Sequence, residues 1–96
     1  MEVMEITLLP GMKRDEVIQF SHEGEEITYV LEGVLSMFVE DVEYLMYPGD
    51  CYHAFGSVKH NFVNLSNNNV RVLYVLTPPI WNKVDHSRPE AALKES

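Results

Sequence analysis

Turn residues interrupt this chain about every ten positions, and that spacing constrains its fold more than any other feature. Breaks fall at Pro10-Gly11, Glu23-Gly24, Glu32-Gly33, Glu40-Asp41, Pro48-Gly49, Gly56-Ser57 and Ser66 to Asn69. The apolar residues between them alternate or cluster in runs of four to seven, the pattern of strands rather than of helices. Strands are expected near Met4–Leu9, Val17–Ser21, Glu26–Leu31, Leu35–Val39, Glu43–Tyr47, Cys51–Phe55, Asn61–Leu65 and Arg71–Leu76. Many short strands at even spacing make a sandwich or a small barrel. After Thr77-Pro78-Pro79 the chain should leave the sheet, because paired prolines supply no ladder donors. Ile80 and Trp81 are expected to pack back on the barrel. Ser87-Arg88-Pro89-Glu90 resembles the start of a short helix that could extend to about Lys94.

A chain of 96 residues has room for one modest core. The expected organisation is a β-barrel over residues 1–80 with a C-terminal extension, 81–96. Seven Lys and Arg stand against fifteen Asp and Glu, a net charge of −8 without any basic stripe. Such a surface repels polyanions and argues against direct nucleic-acid binding by this chain. The longest apolar runs fall well short of the roughly 20 residues that cross a bilayer, and no signal segment opens the chain, so a cytoplasmic protein off the membrane is expected. The single cysteine, Cys51, excludes an internal disulfide framework and suits a reducing compartment.

The chemistry-bearing residues lie between His22 and Asn64. Side chains alternate along a strand, so Ile18, Phe20 and His22 share one face, and His60, Phe62 and Asn64 share another. Glu26 opens the strand after the Glu23-Gly24-Glu25 turn. If residues 56–59 form a hairpin loop, then Cys51, His53 and Phe55 lie opposite His60, Phe62 and Asn64 and point the same way. The pocket wall predicted on that register comprises Phe20, His22, Glu26, Cys51, His53, Phe55, His60 and Phe62. It is mostly apolar with a few convergent polar groups, the usual make-up of a small-ligand site. Two imidazoles and a carboxylate form a common transition-metal set. The same residues also admit a plainer reading, of partly buried histidines bonded to Glu26 and Asn64, with Cys51 a small core residue.

In these motifs the chain resembles the cupins. His22, Glu26 and Gly33 match that family's first motif, and Gly49, His60 and Asn64 match its second. The runs Ser21–Glu26, Tyr29–Gly33, Pro48–Asp50 and Thr77–Pro79 resemble the small cupin domains that follow a helix-turn-helix in bacterial regulators. The resemblance covers about residues 4–79. It implies an all-β fold, a single-domain double-stranded β-helix (the cupin or jelly-roll barrel), and a homodimer. It also implies His22, Glu26 and His60 as ligands of a divalent transition metal such as Fe, Mn, Ni or Zn. Phe20 stands where the family has its first histidine, so one ligand is missing, and His53 is a candidate substitute. Phe55 and Ser57 replace the second motif's Pro and Gly.

The resulting expectation is a small-molecule-binding domain, either a ligand sensor or a binding module. A regulatory output would need a separate protein or a longer chain. The alternative is a small metal-dependent enzyme (an oxygenase, isomerase or lyase) on a small polar substrate. A barrel whose interior is filled by Phe20, Phe55 and Phe62, acting only through its surface, is the third reading. The sequence leaves the catalytic residues open.

Overall fold

The computed structural model describes residues 1–55 and 57–77, and it is all-β apart from one 3₁₀ turn at Arg14–Glu16. Seven strands form among the described residues: β1 (Glu2–Leu8), β2 (Glu25–Glu32), β3 (Leu35–Val39), β4 (Val42–Met46), β5 (Cys51–Phe55), β6 (His60–Val63) and β7 (Val70–Thr77). They make two antiparallel sheets, a four-stranded one in the order β1-β7-β2-β5 and a three-stranded one in the order β4-β3-β6. The expected tail helix and the packing of Ile80 and Trp81 lie outside the described residues.

Alternation decides which residues face inward. Along β7, Val70, Val72, Tyr74 and Leu76 are buried while Arg71, Leu73 and Val75 are only half-buried. Along β2, Glu26, Thr28 and Val30 are buried and Ile27, Tyr29 and Leu31 are exposed. The core gathers Val30, Leu35, Met37, Met46, Val70 and Val72, with Tyr74 and Leu76 beside it against Met4, Ile6 and Phe62. Burying these side chains supplies the main drive to fold, about 1.5–3 kcal/mol for each large one.

Two turns have definite causes. Val39 pairs directly with Val42, and between them Glu40 and Asp41 adopt φ of 48° and 70°. Positive φ at both central residues is what a two-residue type I′ hairpin requires. Asp41 is held there by Gln19 at 2.9 Å and Lys59 at 3.4 Å. Gly33, at φ +83°, passes the loop before β7 so closely that an added Cβ would sit 2.5 Å from the Asn69 carbonyl oxygen.

The expected strand near Val17–Ser21 reduces to one bridge, Phe20 to His60, with both backbone bonds at 2.8 Å. Side-chain contacts fasten this connection to the three-stranded sheet instead. Asn61 Nδ2 donates to the Ile18 carbonyl at 2.7 Å, and Arg14 pairs with Glu43. Polar side chains bind the segment without a continuous ladder.

The larger departure concerns β5. It does not form a hairpin with β6. It pairs with β2 in the four-stranded sheet, while β6 pairs with β3 in the other, so the chain changes sheets between Phe55 and His60. Glu26 faces Ala54, Thr28 faces Tyr52, and Ile27 faces His53. Paired residues point the same way, so Tyr52 and Ala54 turn inward while Cys51, His53 and Phe55 turn out. Phe55 is 60% exposed and Cys51 is an exposed free thiol. The predicted pocket wall is therefore corrected at His53 and Phe55, which face out, whereas Cys51, exposed and not a core residue, borders the cavity described below.

Candidate metal centre

Three segments converge on Glu26. His22 lies in the turn before β2, where Gly24 at φ +91° helps the chain reverse. His60 opens β6 in the opposite sheet. His22 Nε2 lies 2.7 Å from Glu26 Oε2, and His60 Nε2 lies 2.6 Å from Glu26 Oε1. The imidazole rings meet edge to face with centroids 5.3 Å apart. All three side chains are shielded from solvent, at 6%, 0% and 4% exposure for His22, Glu26 and His60. The structure thus brings together the three residues that the sequence singled out as metal ligands.

The far side of each ring fixes its proton. His22 Nδ1 lies 3.0 Å from the Glu23 carbonyl oxygen, and His60 Nδ1 lies 2.5 Å from that of Val58. A carbonyl oxygen can only accept, so Nδ1 is the donor in both rings. In a neutral imidazole Nε2 is then a lone pair. Two lone pairs would face a carboxylate in a dry pocket, and that arrangement is repulsive unless a positive charge lies between them. Protons on the rings meet the need, and so does a metal ion. Backbone carbonyls bonded to the outer nitrogens are also the usual support for metal-binding histidines.

The electrostatics agree. Burial pushes the Glu26 carboxyl up, but contacts with His60, Tyr74 and His22 outweigh it and hold the group below its ordinary value. Burial pulls His60 down, yet Glu26 and the Val58 carbonyl leave it above its ordinary value. Glu26 Oε1 is buried and receives no aligned hydrogen bond, despite the closeness of His60. The donor set fits a divalent transition metal: two nitrogens and one oxygen, all within 4.8 Å of one another.

The remaining expectations divide. Phe20 is the direct partner of His60 and shares its face, but a phenyl ring donates nothing to a metal. His53 cannot substitute as a ligand: it stands on the outer face, 2.9 Å from Glu25. Phe62 faces inward and packs edge to face on Tyr74, with ring centroids 5.1 Å apart. Asn64 is 2% exposed and fully engaged, donating to the Leu8 and Asn68 carbonyls and accepting from Ser66, so it anchors the loop after β6.

Sequence reasoning missed two tyrosines. Tyr74 donates its hydroxyl to Glu26 Oε2 at 2.5 Å, and burial followed by the Glu26 charge pushes its phenol far up, so it stays a donor. Strict alternation along β7 carries the signal, since Tyr74 lies in phase with Val72 and Leu76. Tyr52 lines a cavity of about 410 Å³ together with Met37, Val39, Tyr44, Met46, Asp50 and Cys51. Two of its wall residues are strand partners of residues at or near the cluster, Val39 of His60 and Tyr52 of Thr28. Burial and then the charge of Glu26 raise the Tyr52 phenol as well. Phe55, exposed on the outer face, does not fill the interior with Phe20 and Phe62.

Comparison with known proteins agrees with the fold. The family model described as "Cupin domain" matches residues 4–76. The transcriptional regulator PuuR of Escherichia coli (strain K12), of the helix-turn-helix type, is 33% identical over 72 residues, 75% of this chain and 38% of that protein. The chain thus spans well under half the length of the curated relatives it matches. A sugar phosphate isomerase of the cupin superfamily from Silicibacter pomeroyi superposes with a TM-score of 0.67 at 32% identity, over 80% of this chain and 50% of that one. A cupin domain from an XRE family transcriptional regulator of Enterobacter cloacae shares the fold, with a TM-score of 0.68 at 24% identity over 80% of each chain. A predicted oxalate decarboxylase from Thermotoga maritima gives 0.66 at 27% identity, over 77% of this chain and 63% of that one. With the family model spanning nearly every described strand, the two sheets and the His–Glu–His cluster belong to a chain that is a member of the cupin family.

Proposed function

We propose that this chain is a small-molecule-binding cupin domain, a ligand sensor or binding module, with a divalent metal held by His22, Glu26 and His60. The orientation of the imidazoles carries the reading. Both Nε2 atoms face one buried carboxylate while both Nδ1 atoms are committed to carbonyls, so the pocket calls for positive charge between them, which a metal ion would supply in place of ring protons. A bound metal would supply a Lewis-acidic anchor for an oxygen or nitrogen donor on the ligand. The cavity walled by Met37, Val39, Tyr44, Met46 and Tyr52 would take the ligand's apolar part. Similarity to a regulator supports sensing over turnover.

The reading extends to a cytoplasmic homodimer. Val3, Ile27, Tyr29 and Phe55 leave an apolar outer face on the four-stranded sheet that a second copy would cover.

Metal analysis of protein purified without chelators tests the proposal. About one divalent ion per chain is expected, lost in His60→Ala with the barrel still folded by circular dichroism. Protein that holds no stoichiometric metal after both aerobic and anaerobic preparation discards it. A metal-dependent enzyme is the second reading, favoured by the 32% identity to a sugar phosphate isomerase. Turnover of a small polar substrate by metal-loaded protein, abolished in Glu26→Gln, would select it.

A further inference from the structure

We propose that Tyr74 is a positioning residue that makes Glu26 a one-oxygen metal ligand: it occupies Oε2 and leaves Oε1 for the ion. This rests on the metal reading above and concerns a residue outside the ligand set. Tyr74 stands on β7 directly opposite Thr28 of β2, on the inner face, and its long side chain reaches Glu26, the next inward residue along β2. The ring is held by burial, at 1% exposure, and by its edge-to-face contact with Phe62. Its hydroxyl donates to Oε2 at 2.5 Å.

The two carboxylate oxygens differ. Oε2 is bonded to Tyr74 and lies against His22, whereas Oε1 is buried without an aligned donor. Once both Nε2 atoms turn to a metal, neither imidazole can serve Glu26, and Tyr74 remains as the donor to Oε2. Without that hydroxyl, Oε2 would be a buried anionic oxygen lacking a partner, a costly state. Its nearest relief would be the metal itself. Glu26 would then bind through both oxygens and take up a coordination position otherwise open to a ligand.

The test uses Co(II) as the probe, with Tyr74→Phe and Thr28→Val. Thr28 is the control because its buried hydroxyl has no partner and lies two residues from Glu26. Tyr74→Phe should bind Co(II) about 10–100-fold more weakly, the usual effect of losing a group that supports a metal ligand. Its visible d–d bands should shift and weaken as the coordination number rises, while Thr28→Val keeps wild-type affinity and bands. Wild-type affinity and bands in Tyr74→Phe overturn the proposal, as does equal weakening in Thr28→Val. Should Tyr74→Phe fail to fold, infrared difference spectra of the wild type with and without Co(II) decide. A wide separation of the carboxylate stretches supports one-oxygen ligation, and a narrow one overturns it. A wild type that takes up no Co(II), Mn(II) or Zn(II) overturns the metal reading and this inference together. A wild type that binds them while Tyr74→Phe behaves identically overturns this inference alone.

Discussion

Glu25 and Glu26 are neighbours in sequence, and each lies within 3 Å of histidine, yet they form two different kinds of site. Glu25 points outward from β2 to His53, with side chains 47% and 54% exposed. Glu26 points inward to His22 and His60, with no exposed side-chain surface of its own. Water screens the outer pair, and such pairs contribute about 0–1 kcal/mol. The inner group has no water to screen it, so its charges must be balanced by protons, hydrogen bonds or a metal. One step along a strand separates a surface ion pair from a candidate metal centre.

The largest break in this comparison is Glu26→Ala. It should abolish metal retention and destabilise metal-free protein by about 3 kcal/mol in urea unfolding. That is the low end for a broken buried pair. Glu25→Ala should shift stability by no more than about 0.5 kcal/mol. Similar losses in both variants would erase the distinction.

Next come the histidines. His22→Ala and His60→Ala should each weaken metal binding at least about 100-fold, since each removes a ligand outright. His53→Ala should leave it unchanged in a competition titration with a chromophoric chelator. A metal-binding defect in His53→Ala would mean that β5 faces the other way.

A smaller effect is expected from pH in metal-free protein. His60 is raised above its ordinary 6.5, so its stabilising charge is fully present below about that pH. That contribution is lost as pH rises through the raised value. Glu26 is lowered below its ordinary 4.5, so its contribution is present above that pH and lost as pH falls through the lowered value. Denaturant unfolding in the presence of chelator should therefore give maximal stability between about pH 4.5 and 6.5 from this cluster. Metal affinity should run the other way on the alkaline side, rising as the proton leaves His60.

Much of this was legible without coordinates. Alternation in Val70 to Leu76 shows which residues face the core, and the turn residues mark most strand ends. The spacing of His22, Glu26 and His60 places them where two strand ends and a turn can meet. β5 departs from the sequence expectation for a definite reason. In Cys51-Tyr52-His53-Ala54-Phe55 both phases of the alternation carry apolar residues, so periodicity does not say which phase is buried. The short connection to His60 then suggested a hairpin, whereas the chain crosses to the other sheet.

By itself the sequence determined the class of fold and the strand phases where only one face is apolar, which follow from local period and turn chemistry that neighbouring residues settle among themselves. His22, Glu26 and His60 were marked as a set by the resemblance to the cupins. Only the tertiary structure decided that β5 lies beside β2, that Tyr52 rather than His53 looks into the cavity, and that Tyr74 reaches Glu26. Those outcomes depend on pairing between strands far apart in the chain, where burial of whole sheet faces outweighs any local preference.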